Sequence, residues 1–250
     1  MSRVRVKVKT LVLDIDQCMA NSYIESPSEA VLREGMRPEN LKHRHRMMTM
    51  CIPNAEDAAG YDFAAVKRPG LDEFLRFARA YFDVIIVWTA GEFEYAHAMV
   101  REIFRDHSKP DLVLTRGNVV YEEPENPDDP PRGHKPLRVI NSLRPGMIDL
   151  SWTLFLDDTI ANFREDPENG LHIPQYRPLE SDPFNSDDRC LYHLMEWLDR
   201  DEVRNAQDVR MLDKSKIFSD CPRAGRCARC SGANRKTAFE HLMLYSTPDL

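Results

Sequence analysis

Leu11-Val12-Leu13-Asp14-Ile15-Asp16-Gln17-Cys18 is the stretch on which the fold turns. Val4 to Asp14 starts with alternating basic and apolar residues and ends in a purely apolar run. That pattern predicts a strand whose last part is buried on both faces, as in a parallel sheet. Asp14 and Asp16 then stand just past the carboxyl end of the strand, where open α/β sheets place their ligands.

The same pattern recurs outward from this point. Phe82 to Thr89 and Ser151 to Leu156 read as further buried strands, the second ending in Asp157-Asp158, and Leu112 to Thr115 as a short one. Between them, Leu71, Phe74, Leu75, Ala78 and Tyr81 mark an amphipathic helix with Pro69 near its start. Glu92 to His107 gives a second helix, with Tyr95, Met99 and Ile103 on one face, and Leu191 to Leu198 a short third. Strands alternating with helices predict a Rossmannoid three-layer α/β sandwich around a central parallel sheet. Residues 22–60 show no clear period and read as a helix or two inside a long insertion; Pro124 to Arg132 reads as a loop or flap. The expected organisation is a domain over 1–204, with insertions at 22–62 and 119–133 shaping the site, and a C-terminal extension over 205–250.

Composition narrows the class. A hydrophobic fraction of 42% with 30% charged residues is that of a globular chain. The net charge of −7 argues against a broad nucleic-acid surface, although Lys42 to Arg46 and Arg223 to Arg235 are local basic runs. No stretch approaches the roughly 20 apolar residues of a membrane span. The basic, alternating N-terminus lacks the apolar core of a signal peptide. Cytoplasmic or nuclear residence is the expectation. Scattered cysteines fit a reducing compartment. Cys221, Cys227 and Cys230 cluster, and read as free thiols in a basic tail, with a Zn2+ site completed by His241, His193 or Cys51 as the alternative.

Four acids at two strand ends repel unless a hard cation joins them, and Mg2+ takes such oxygen ligands. A carboxylate can attack phosphorus to give an acyl phosphate, and a second carboxyl group nearby can move the protons. A hydroxyl such as Thr89 and an ammonium such as Lys135 can hold the phosphoryl oxygens.

The sequence Asp14-Ile15-Asp16 after a hydrophobic strand resembles the opening motif of the haloacid dehalogenase superfamily. Val66-Lys67-Arg68-Pro69-Gly70, Trp88-Thr89-Ala90, Tyr95-Ala96, Arg116-Gly117-Asn118, Lys135-Pro136-Leu137 and Leu156-Asp157-Asp158-Thr159 follow in order. Together they resemble the RNA polymerase II carboxy-terminal-domain phosphatases and nuclear LIM-interactor-like phosphatases. The resemblance implies a Mg2+-dependent protein phosphatase acting on phosphoserine or phosphothreonine. Asp14 would be nucleophile and metal ligand, and Asp16 general acid/base with its backbone carbonyl on the metal. Asp158 would be a direct ligand, and Asp157 would orient Lys135 or the metal's waters. Thr89, Ala90, Arg116 and Lys135 would contact the substrate. The insertion before Lys135 leaves Lys109 as the alternative lysine, and Cys18 replaces the usual Thr or Val. Two other readings keep the fold: a catalytically silent binding module, as among mitochondrial import relatives, and a phosphatase of nucleic-acid ends.

Overall fold

The structure is a computed structural model that describes residues 8–24, 26–52, 60–124, 126, 131–179 and 188–219. The first residues of the expected N-terminal strand, the Arg223–Arg235 run and the Cys221, Cys227 and Cys230 cluster all lie outside the described residues. In chain order the strands and α-helices are β1 (Thr10–Leu13), β2 (Ala20–Ile24), α1 (Ser26–Gly35), β3 (Met47–Ile52), β4 (Tyr61–Lys67), α2 (Leu71–Tyr81), β5 (Val84–Trp88), α3 (Phe93–Ile103), β6 (Leu112–Leu114), β7 (Val120–Glu122), β8 (Arg132–His134), α4 (Arg138–Leu143), β9 (Thr153–Asp157), β10 (Gly170–His172), α5 (Cys190–Leu198) and α6 (Asp201–Arg204).

A five-stranded sheet of order β10-β9-β1-β5-β6, parallel at every pairing, forms the centre. After β1 the chain builds outward through β5 and β6, then returns to the other flank for β9 and β10. β1 therefore lies where the winding reverses, and its carboxyl end opens into the crevice that such a reversal creates. The apolar run of each central strand divides between two faces. Leu11, Leu13, Ile85, Val87, Leu154 and Leu156 pack with α2, α3 and α5, while Val12, Ile86, Trp88 and Phe155 pack with Leu137, Ile140 and Phe163. Both faces are covered, so these strand residues are buried and the expected α/β sandwich forms.

The region 22–60 corrects the sequence reading. Its described residues hold one α-helix, α1, a 3-10 segment over Pro38–Arg46, and strands β2 and β3, which pair with β4 in an antiparallel sheet of order β2-β4-β3. β3 does alternate, with Met48, Met50 and Ile52 inward. Its inward face is mostly methionine, a residue whose flexible side chain fills gaps but does not mark a strand. The basic run 42–46 is not one solvated face either. Arg46 is buried and donates to the Lys67 carbonyl at 3.2 Å and the Tyr176 hydroxyl at 3.0 Å. Beyond residue 204, Val209 and Ile217 are buried in the same cluster as α2 and α5, so the packed body continues past that point.

Two details fix the entry to the site. Gly70 starts α2 at φ +78°, and a Cβ there would lie 2.5 Å from the Tyr192 ring, so both its backbone and its space call for glycine. Next to it, Arg68 is buried. It donates to Asp188 at 3.0 Å, to the Cys18 carbonyl at 3.0 Å and to the Pro174 carbonyl at 2.7 Å, tying the loop after β1 to the segment after β10. Arg68→Met should lower unfolding stability by about 3 kcal/mol or more in a urea titration, because Asp188 and two carbonyls lose their partner. A loss under about 1 kcal/mol, the range of a surface pair, would contradict this clamp.

Candidate active site

Three adjacent parallel strands end at one place. β1 delivers Asp14 and Asp16, β5 delivers Thr89 and β9 delivers Asp157 and Asp158. Lys135 reaches the same place from the turn after β8, and its register is fixed by its own N–H, which donates to the Asn162 carbonyl at 2.9 Å. The ammonium of Lys135 is buried and donates to both Asp14 and Asp157, the latter at 2.8 Å. Lys109, the alternative lysine, is exposed, and its carbonyl accepts from Arg79.

Asp14, Asp157 and Asp158 each offer a carboxylate oxygen within 4.8 Å of the others. The set contains only hard oxygen donors, and the single ammonium among them does not balance the acids. A divalent cation suits such a cluster. The carboxylate of Asp16 is not in it. One oxygen, Oδ1, accepts from Tyr95 and from Ser22 at 3.1 Å, while Oδ2 accepts from Thr89 at 3.5 Å. The side chain of Asp16 is therefore not grouped with the carboxylates of Asp14, Asp157 and Asp158.

Burial dominates the electrostatics. It pushes the Asp14 carboxyl well above the ordinary range; Lys135 opposes the shift, and Asp157 and Asp16 add to it. Asp16 and Asp158 are also raised, chiefly by burial. Burial alone would lower the Lys135 ammonium, but Asp14 and Asp157 outweigh it and hold the group firmly protonated. The Cys18 thiol is pushed up by burial and by Asp14, and is inert as a nucleophile at neutral pH. For a raised carboxylate, the stabilising contribution is present at low pH and is lost as pH rises through the raised value. At neutral pH the cation-free protein therefore carries an electrostatic cost at this cluster.

Several supports were not assigned from the sequence. Asn162 donates to both oxygens of Asp157 at 2.8 Å, Gln175 donates to Asp158 at 3.0 Å, and the Thr159 N–H caps Asp157 at 2.8 Å. Amide side chains outside strands and α-helices carry no spacing signal of their own. Of the expected substrate contacts, Ala90 is exposed and Arg116 is exposed and paired with Glu92 at 2.9 Å. Neither touches the acid cluster. Arg116 is tied to the region through its N–H, which donates to the Gly91 carbonyl at 2.9 Å.

The comparisons with known proteins bear on this geometry. The family model described as NLI interacting factor-like phosphatase matches residues 9–210. The chain belongs to that family. A CTD nuclear envelope phosphatase 1 homolog of Caenorhabditis elegans is 26% identical over 83% of this chain and 71% of its own length. A mitochondrial import inner membrane translocase subunit, tim50, of Neurospora crassa is also 26% identical, over 78% of this chain but only 32% of its own length. Among solved structures, Fcp1, described as an essential RNA polymerase II CTD phosphatase, superposes with a TM-score of 0.52 at 16% identity, covering 77% of this chain and 50% of that one. The fold is thus the haloacid dehalogenase-type α/β fold, and the chain spans about a third of the import subunit and half of Fcp1. No helix among the described residues is long and apolar enough to cross a membrane.

Asp158→Asn should raise the melting temperature of the EDTA-treated family member by about 2–4 °C, the shift that about 1 kcal/mol makes in a chain of this size. It should also remove most of the gain that the wild type shows on adding a divalent cation. An unchanged cation response in this variant would contradict the cluster as the binding site.

Proposed function

We propose that the chain is a phosphomonoester hydrolase that forms an aspartyl phosphate on Asp14, acting on phosphoserine or phosphothreonine in protein. The observation that carries this reading is the convergence of Asp14, Asp16, Thr89, Lys135, Asp157 and Asp158 at the carboxyl ends of β1, β5 and β9.

The chemistry follows from the groups present. An oxygen of Asp14 attacks phosphorus, and the bond from phosphorus to the leaving oxygen breaks. Asp16 gives that oxygen its proton, a role suited to a carboxyl group whose acidity burial has weakened. Water then attacks the acyl phosphate, Asp16 takes its proton, inorganic phosphate departs and Asp14 is restored. Lys135 already touches Asp14, so a phosphoryl oxygen placed there inherits the ammonium. Thr89, buried and two residues before the Gly91 N–H that donates to its hydroxyl at 3.0 Å, faces the same space from the end of β5. Ala90 and Arg116 form the rim on which the protein substrate rests.

The acid cluster fits Mg2+ in donor type and burial, with Asp14, Asp158 and the Asp16 carbonyl as ligands and Asp157 holding Lys135. When bound, the ion supplies positive charge beside the nucleophile and the phosphoryl oxygens. Nothing among the described residues supports zinc.

The names of the relatives support a protein substrate such as the RNA polymerase II CTD, and a nuclear setting. The import-subunit relative shows that likeness within the family reaches proteins with other names. Retention of Asp14, Asp16, Lys135 and Asp158 in one place favours catalysis over a silent binding module. A nucleic-acid end phosphatase is disfavoured by the acidic net charge and by the buried Arg46 within the 42–46 run.

Asp14→Asn should cut turnover of a phosphoserine peptide by at least about 10³-fold with the melting profile preserved. Activity within a few-fold of wild type would refute Asp14 as nucleophile. Beryllium fluoride, bound in a solved structure of the fission yeast relative Fcp1-R271A, should inhibit the wild type by occupying the position of a phosphoryl group on Asp14. A steady-state assay that shows no inhibition at millimolar fluoride would count against the covalent step.

A further inference from the structure

The insertion sheet does more than border the crevice, because it reaches the side chain of Asp16. Ser22 on β2 and Tyr95 on α3 both bond to Oδ1 of Asp16, and their hydroxyl oxygens lie 2.8 Å from each other. The three groups make a closed triangle. The Tyr95 hydroxyl is held there from α3. Its ring is fixed by two neighbours. Phe63 on β4 packs against it with centroids 5.5 Å apart. Gly91 also comes so close that a Cβ there would sit 2.3 Å from the ring. The remaining carboxylate oxygen, Oδ2, accepts the long 3.5 Å contact from Thr89 and lies toward the Thr89 side of the crevice.

We infer that Tyr95 and Ser22 are positioning residues for proton transfer by Asp16: they pin Oδ1 and leave Oδ2 as the oxygen that carries the proton to and from the substrate. This deepens the phosphatase reading and rests on it. In the step concerned, the Asp14 oxygen bonds to phosphorus while the bond from phosphorus to the seryl oxygen breaks, and the proton on Oδ2 passes to that oxygen. A carboxyl group held by one oxygen cannot rotate to offer the wrong one, and no other side chain in the described site holds Asp16 so closely.

The test separates proton delivery from simple support. A seryl alkoxide is a poor leaving group and needs the proton; p-nitrophenolate leaves without it. Tyr95→Phe keeps the ring that packs on Phe63 and removes only the hydroxyl. With the full chain and Mg2+, it should lower kcat/KM on a phosphoserine peptide by about 10-fold or more while lowering kcat/KM on p-nitrophenyl phosphate by about 2-fold or less, because kcat/KM reports the leaving-group step and not the later attack of water, in which Asp16 serves both substrates alike. Ser22→Ala should show the same bias at smaller size, and the double variant should fall short of the product of the two, as expected for groups that act as a unit. Equal losses on both substrates, or a defect confined to KM, would overturn the proposal and make Tyr95 a structural or substrate-contacting residue. Wild-type turnover no greater than that of Asp14→Asn on both substrates would instead overturn the phosphatase reading beneath it.

Discussion

The structure depends on one buried ammonium. Lys135 sits between Asp14 and Asp157 with almost no exposure, and it makes tolerable a cluster of acids that would otherwise repel one another. A lysine is expensive to bury unless it is paired, and a carboxylate equally so; here each lowers the cost of the other. Their pairing fixes where the turn after β8 must lie, because Lys135 also hangs by its N–H from Asn162, whose amide in turn grips Asp157. The second core face, with Trp88 stacked on Phe155 and Phe163 beneath, forms the floor on which this turn rests.

From that pairing the division of labour among the acids follows. Asp14, Asp157 and Asp158 share one charged space, whereas Asp16, only two residues from Asp14, is turned to hydroxyl donors on other elements. Residues two apart in an extended chain point to the same side, so the separate tasks of Asp14 and Asp16 come from the chain leaving the strand after Leu13 and turning just past Asp16. Gln17, next in sequence, takes a positive φ of 58°, which turns the chain sharply out of the site and lets its carbonyl receive the Tyr176 N–H at 2.8 Å. Arg68 then fastens the far side of this loop.

Much of this arrangement was legible from residues alone. The buried strands announced themselves because a parallel sheet covered on both faces leaves continuous apolar runs, and acids directly after such runs are conspicuous. β1, β5 and β9 end at Asp14, Thr89 and Asp157 much as Leu11-Val12-Leu13, Val84 to Trp88 and Leu154-Phe155-Leu156 foretell. The antiparallel sheet of the insertion was not legible, since β3 places methionines inward and β4 carries alanines, neither of which signals a strand. The helpers of the site were hidden for a different reason. Ser22, Asn162 and Gln175 matter through contacts across 5 to 17 positions of chain, and a single hydroxyl or amide has no periodicity to betray it; Tyr95 stands in a conspicuous motif, but its bond to Asp16 spans 79 positions. Arg116, by contrast, was conspicuous in the sequence and lies at the surface against Glu92.

The central claim is that phosphate passes through a covalent bond to one side chain. Borohydride reduction of the enzyme quenched during turnover of a phosphoserine peptide, followed by mass spectrometry of its peptides, tests it most directly, because an acyl phosphate is reduced to an alcohol whereas a free carboxylate is not. The account predicts homoserine at position 14 and nowhere else, dependent on substrate. Reduction at another acid, or none at all during measurable turnover, would contradict it.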